Sequence, residues 1–100
     1  MNIFSDIKSE INRYIDIYID EDGFRMDLQD LGVKGSQYEG YEHEECATGI
    51  NVEQLKQAFG ADDNDALFQM LAAEFGKSEG FDVFTDFCRK NNISYDCWQG

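Results

Sequence analysis

The sequence predicts an α+β fold: a single domain over residues 1–100, built as an antiparallel sheet with helices packed on one face. Three observations carry that expectation. Between Tyr14 and Gln29 apolar and polar residues alternate with period two, broken once at Asp22-Gly23, as in two half-buried strands joined by a hairpin. From Asn51 to Asn92 the apolar period lengthens to three and four, so helices follow the strands as a block. The composition, 42% hydrophobic and 14% aromatic with eight Phe, is enough to fill one core. A chain of this size buries roughly two-thirds of its unfolded surface, and such a composition excludes a disordered acidic tail.

Taken in order, Phe4, Ile7 and Ile11 recur at spacings of three and four. Ser5 precedes an acid as an N-cap would, and together these predict a short helix from Ser5 to about Arg13. Ile15, Ile17 and Ile19 then point one way while Tyr14, Asp16, Tyr18 and Asp20 point the other. After the Asp22-Gly23 turn, Phe24, Met26 and Leu28 face inward and Arg25, Asp27 and Gln29 outward. Gly32 and Gly35 bracket another turn, and Gln37 to Cys46 is expected as a third strand whose facing is blurred by Gly40 and a run of acids.

Asn51 with Gln54 forms a capping-box variant ahead of Val52, Leu55 and Phe59, and Gly60 stops that helix. Asp62 to Asp65 crowd the start of a second helix with Leu67, Phe68, Leu71 and Phe75 on its buried face. Phe81, Phe84, Phe87 and Cys88 mark a third, closed by Arg89, Lys90 and Asn91-Asn92, and Ile93 to Trp98 alternates as a last strand.

Charge is the strongest functional signal: 21 acidic against 8 basic residues give a formal net charge of −13. Self-repulsion on that scale destabilises a compact chain, so a cationic partner is the leading reason to keep it, while nucleic acid and anionic membranes would be repelled. The acid concentrates between Asp16 and Glu45, where ten carboxylates face only Arg25 and Lys34. Tyr14, Tyr18, Tyr38 and Tyr41 interleave with it, and Tyr beside acid is the composition of a surface that meets Lys and Arg. The expected partner-binding set is Asp16, Tyr18, Asp20, Glu21, Asp22, Tyr38, Tyr41, Glu42, Glu44 and Glu45.

Other chemistries fit poorly. Asp20-Glu21-Asp22-Gly23 resembles the middle of a calcium loop, but with Gly23 at the sixth position the first and twelfth are Tyr18 and Gln29, so both acidic ligands are missing. His43, Cys46, Cys88 and Cys97 lack the paired close spacing of a zinc site, and Cys88 falls on an apolar helix stripe. With one His, no phosphate-binding glycine loop and no nucleophile elbow, neither catalysis nor a cofactor is expected. His43, among Glu42, Glu44 and Glu45, reads as a surface residue. The odd number of cysteines predicts reduced thiols, and the absence of a leader or a long apolar run predicts a cytoplasmic protein.

The C-terminal half carries a further pattern: Ala58-Phe59-Gly60, Leu67-Phe68-x-x-Leu71, Glu74-Phe75-Gly76, Gly80-Phe81-x-x-Phe84-x-x-Phe87 and Asn91-Asn92-Ile93-Ser94-Tyr95-x-x-Trp98. This run resembles the small immunity proteins of bacterial polymorphic toxin systems, including contact-dependent growth inhibition. The resemblance implies a non-enzymatic cytoplasmic protein that binds a cognate basic toxin domain, often a nuclease, and blocks its active site or substrate groove. It carries over no binding residue by position. The alternative expectation is a phage or plasmid inhibitor that mimics DNA against a restriction or CRISPR effector, which would need carboxylates spaced like phosphates along a duplex.

Overall fold

Strand pairing at the N-terminus replaces the helix expected there. The computed structural model describes residues 1–7 and 10–100, and in it Asn2–Asp6 form strand β1 and Ile11–Asp20 form β2. Positions 8 and 9 of the expected helix lie outside the described residues. β1 pairs antiparallel with β2, Phe4 opposite Ile15 and Asp6 opposite Arg13, and Ile7 is left 74% exposed. The three-and-four spacing of Phe4, Ile7 and Ile11 was outweighed because pairing with β2 buries Ile3 and Phe4 against the core.

The alternation from Tyr14 to Gln29 forms the centre of the sheet as expected. β3 (Gly23–Gly32) pairs with β2 in unbroken register from Asp20 opposite Gly23 to Ile11 opposite Gly32. Ile15, Ile17, Phe24, Met26 and Leu28 are buried, whereas Ile19 reaches the surface near the hairpin tip. The two-residue turn is Glu21-Asp22, one position earlier than expected, and the Asp22 amide donates to Asp20 Oδ1 at 2.8 Å. Gly23 has a φ of 122°, and a Cβ there would lie 2.4 Å from the Ile50 carbonyl oxygen, so a side chain is excluded on both counts.

The third expected strand shifts toward the C-terminus. Residues 34–40 are turns, and β4 runs Glu42–Ile50, pairing with β3 from Leu31 opposite Glu42 to Phe24 opposite Ile50. The last strand, β5 (Asp96–Gln99), is shorter than expected and pairs with β4, completing an antiparallel sheet in the order β1-β2-β3-β4-β5.

Three helices between β4 and β5 cover one face of that sheet: α1 (Val52–Phe59), α2 (Asn64–Phe75) and α3 (Gly80–Lys90). Asn51 caps α1 by accepting from the Gln54 amide, Gly60 ends it in the left-handed conformation, and Asp63 caps α2 through the Ala66 amide. Asn91 closes α3, after which Ile93 folds into the core as its amide donates to the Cys88 carbonyl at 2.8 Å.

The buried aromatic rings form a chain through the domain. Phe24 of β3 meets Phe84 at 5.6 Å, Phe84 meets Phe75 at 5.2 Å, and Phe75 meets Phe59 at 5.9 Å. The fold is a single α+β domain, 45 × 25 × 23 Å, and among the described residues no helix is long and apolar enough to cross a membrane.

Candidate functional site

Covering one side of the sheet with helices leaves the other open, and its residues follow from register. Tyr18 stands opposite Arg25. In the next row Asp16 is opposite Asp27, Asp27 opposite Cys46, and Cys46 opposite Trp98. In the row after that, Tyr14 is opposite Gln29 and Gln29 opposite Glu44. Neighbouring strands lie about 4.8 Å apart and alternate residues about 7 Å apart, so these side chains form one continuous patch.

Asp16 and Asp27 are like charges directly opposed across two strands, an arrangement that costs stability unless a cation intervenes. Arg25 offsets the Asp27 half of that pair. Its Nε donates to Asp27 Oδ1 at 2.7 Å, its guanidinium carbon lies 5.9 Å from the centre of the Tyr18 ring, and Nη2 is 3.8 Å from Cys46 Sγ. The bond to Asp27 raises the Arg25 pKa further above its ordinary value. Burial, reinforced by the fields of Asp16 and Asp27, raises that of the Tyr18 phenol. Gln29 Nε2 donates to Glu44 Oε1 at 3.1 Å, orienting that carboxylate within the patch. Trp98, the single Trp of the chain, lies at its edge with 53% of its surface exposed.

The ten residues expected to form one interface are divided by this geometry. Asp16, Tyr18 and Glu44 share the open face, and Glu42 lies on the same side at its far end, opposite Leu31. Asp20, Glu21 and Asp22 form the β2-β3 tip, whereas Tyr38 and Tyr41 lie at the other end of the sheet. Those ends are separated by the length of β2, about 30 Å for ten residues. Glu45 faces the helix side, opposite Leu28, where Oε1 accepts from Gln99 at 2.6 Å and Oε2 is 3.8 Å from His43 Nε2.

Tyr14, Arg25, Asp27, Gln29, Cys46 and Trp98 belong to the patch but not to the expected set. The outward facing of Arg25 and Asp27 was already legible from the period of β3, and their pairing with β2 is what joins them to Asp16 and Tyr18. Cys46 depended on the register of β4 with β3, and Trp98 on the long-range pairing of β5 with β4, neither of which leaves a local signal.

A cleft of about 440 Å³ lies on the helix side and includes Asp6, Arg13, Asp30, Tyr38 and Ser78. Its floor is a two-pronged ion pair: Arg13 Nε and Nη2 donate to Asp30 at 2.8 and 2.7 Å, and Nη1 donates to the Ser78 carbonyl at 3.0 Å. Asp30 is 6% exposed and its charge is matched within the chain, so this pair fixes the sheet against the α2-α3 loop.

The four nominal metal ligands are dispersed. Cys88 is inside the core on α3, Cys46 on the open face, Cys97 opposite Ala47 on β5, and His43 beside Glu45. Burial pushes the thiols of Cys46 and Cys88 up to about 11, the former helped by Asp27. Both therefore stay protonated at neutral pH, and Cys97 is the exposed thiol. A chromogenic disulfide reagent at pH 7 should titrate one thiol promptly and the other two only on unfolding, with Cys97→Ser abolishing the fast phase. A fast phase that survives Cys97→Ser would contradict this assignment.

No protein-family model, no curated protein and no solved structure matches this chain.

Proposed function

We propose that this protein binds and neutralises a cationic protein in the cytoplasm, acting as an immunity protein that covers the active site or substrate groove of a basic toxin domain, most naturally a nuclease. The observation that supports this reading is the open sheet face, where Asp16, Asp27 and Glu44 are interleaved with Tyr14, Tyr18 and Trp98 around a single guanidinium. Aromatic side chains supply contact area at low entropic cost, and carboxylates supply charge to the partner's Lys and Arg. A substrate groove that binds nucleic-acid phosphates carries that complementary charge. Occluding it needs no catalytic group on the inhibitor.

The DNA-mimic reading is weaker on the same observation. Duplex phosphates form two rows of negative charge, whereas this patch has rings between its carboxylates and Arg25 near its centre.

The direct test is co-expression with a basic nuclease domain encoded beside this gene. Growth should be restored by the wild-type chain and not by a variant with Asp16 and Glu44 reversed to Lys. Equal protection by the two would remove the open face from the mechanism.

The net charge of −13 adds an expectation about rate. Raising salt from about 0.01 M to about 1 M shortens the screening length from about 30 Å to about 3 Å, so association with the toxin domain should slow at least about tenfold. Dissociation should change less. An association rate that is flat over this range would exclude electrostatic steering.

A further inference from the structure

The open face already holds one guanidinium, and how it is held indicates what the face recognises. Arg25 uses three features together: a carboxylate at 2.7 Å, an aromatic ring at 5.9 Å and the Cys46 sulfur at 3.8 Å. Beside it is a recess of about 210 Å³ whose lining includes Asp16, Tyr18, Asp27 and Glu44. Three carboxylates and Arg25 itself thus line the recess, with Arg25 bonded to Asp27, so negative charge at Asp16 and Glu44 is left for a second cation.

We propose that this recess is an arginine-reading site, in which an arginine side chain of the cationic partner docks against Asp16, Glu44 and the Tyr18 ring, and that Arg25 is an internal placeholder that competes with it for Asp27. The inference rests on the proposed function and adds the chemistry of the partner's anchoring residue. A guanidinium suits the site better than an ammonium because it is planar, donates in a fork to carboxylates, stacks on rings and sheds water more easily. Charge repulsion also disfavours a second copy of this chain as the occupant, since each copy carries −13.

Trp98, beside Arg25, Glu44 and Cys46, gives a fluorescence signal at the site. The probes are capped tetra-arginine and tetra-lysine peptides, titrated against the full chain. Tetra-arginine should bind at least about fivefold more tightly than tetra-lysine. Asp16→Asn with Glu44→Gln should weaken tetra-arginine at least about tenfold, whereas Asp62→Asn with Asp65→Asn, an equal change in net charge, should weaken it less than about twofold.

Arg25→Gln should strengthen tetra-arginine binding about threefold or more by releasing Asp27, and Arg25→Lys should fall between it and wild type. Thermal melts of each variant establish that it is folded, and Asp16→Asn alone keeps the test open if Arg25→Gln does not fold. Equal affinity for the two peptides, or weaker tetra-arginine binding in a folded Arg25→Gln variant, would overturn the proposal. The underlying function is judged separately with the cognate protein. If the open-face pair weakens that complex while the peptides are not discriminated, only the arginine assignment fails. If the complex is indifferent to the open-face pair, the function itself fails.

Discussion

Phe84→Ala should remove about 3–5 kcal/mol of folding stability, a large part of the roughly 5–15 kcal/mol available to a domain of this kind. Phe84 is fully buried between Phe24 of β3 and Phe75 of α2, so its ring is one of the links between sheet and helix layer, beside the contact of Phe24 with Phe68. Truncation loses the transfer free energy of the ring and leaves a cavity where three elements meet, which none of them can close without leaving its own hydrogen-bonded register. Phe84→Leu, which keeps most of the volume, should cost about 1–1.5 kcal/mol. Urea denaturation followed by far-UV circular dichroism measures both. A loss below about 1 kcal/mol for the alanine variant would mean that the two layers are held together elsewhere.

The same layer was legible before any coordinates because each of its signals is local. Asn51 and Asp63 cap through amides three residues away, and the stripes Leu67, Leu71, Phe75 and Phe81, Phe84, Cys88 have the helical period. β2 and β3 were legible for a similar reason, since their period-two alternation is local and gives their facing, while the register moved because the turn lies at Glu21-Asp22 rather than at Asp22-Gly23.

Where pairing is long-range the sequence was misleading. Phe4, Ile7 and Ile11 have helical spacing, yet Phe4 is drawn into β1 by pairing with β2, and Ile11 opens β2 opposite Gly32 of β3. In β4, Glu44 and Glu45 are adjacent, chemically equivalent and on opposite faces, and only the register with β3 determines which of them joins the site. Trp98 enters the open face through a pairing that spans three intervening helices. The candidate site was therefore visible as a composition, acid with Tyr, before it was visible as a surface.

The largest effect on binding is expected from reversing Asp16 and Glu44 to Lys together, measured against Asp62→Lys with Asp65→Lys. Both pairs change the net charge by the same amount, so the long-range field that steers encounter is altered equally and cancels in the comparison. What differs is local. Asp16 and Glu44 lie among rings that would be covered by a partner, where each lost desolvated charge pair costs on the order of 2 kcal/mol or more, so the open-face pair should weaken the complex by about 4 kcal/mol, near a thousandfold. Asp62 and Asp65 are exposed around the start of α2, and the effect there should stay well under about 1 kcal/mol per residue. Charge reversal at the tip residues Asp20, Glu21 and Asp22 should behave as rim substitution does. Glu45→Lys should leave binding intact, because its side chain lies on the helix side beside His43 and Gln99. Asp63→Lys should cost about 1–2 kcal/mol of stability by removing the α2 cap at the Ala66 amide, again without touching the complex. If calorimetry instead found the α2 pair crippling and the open-face pair silent, the partner would have to approach the helix side. The aromatic and acidic lattice on the sheet would then be left as surface charge alone.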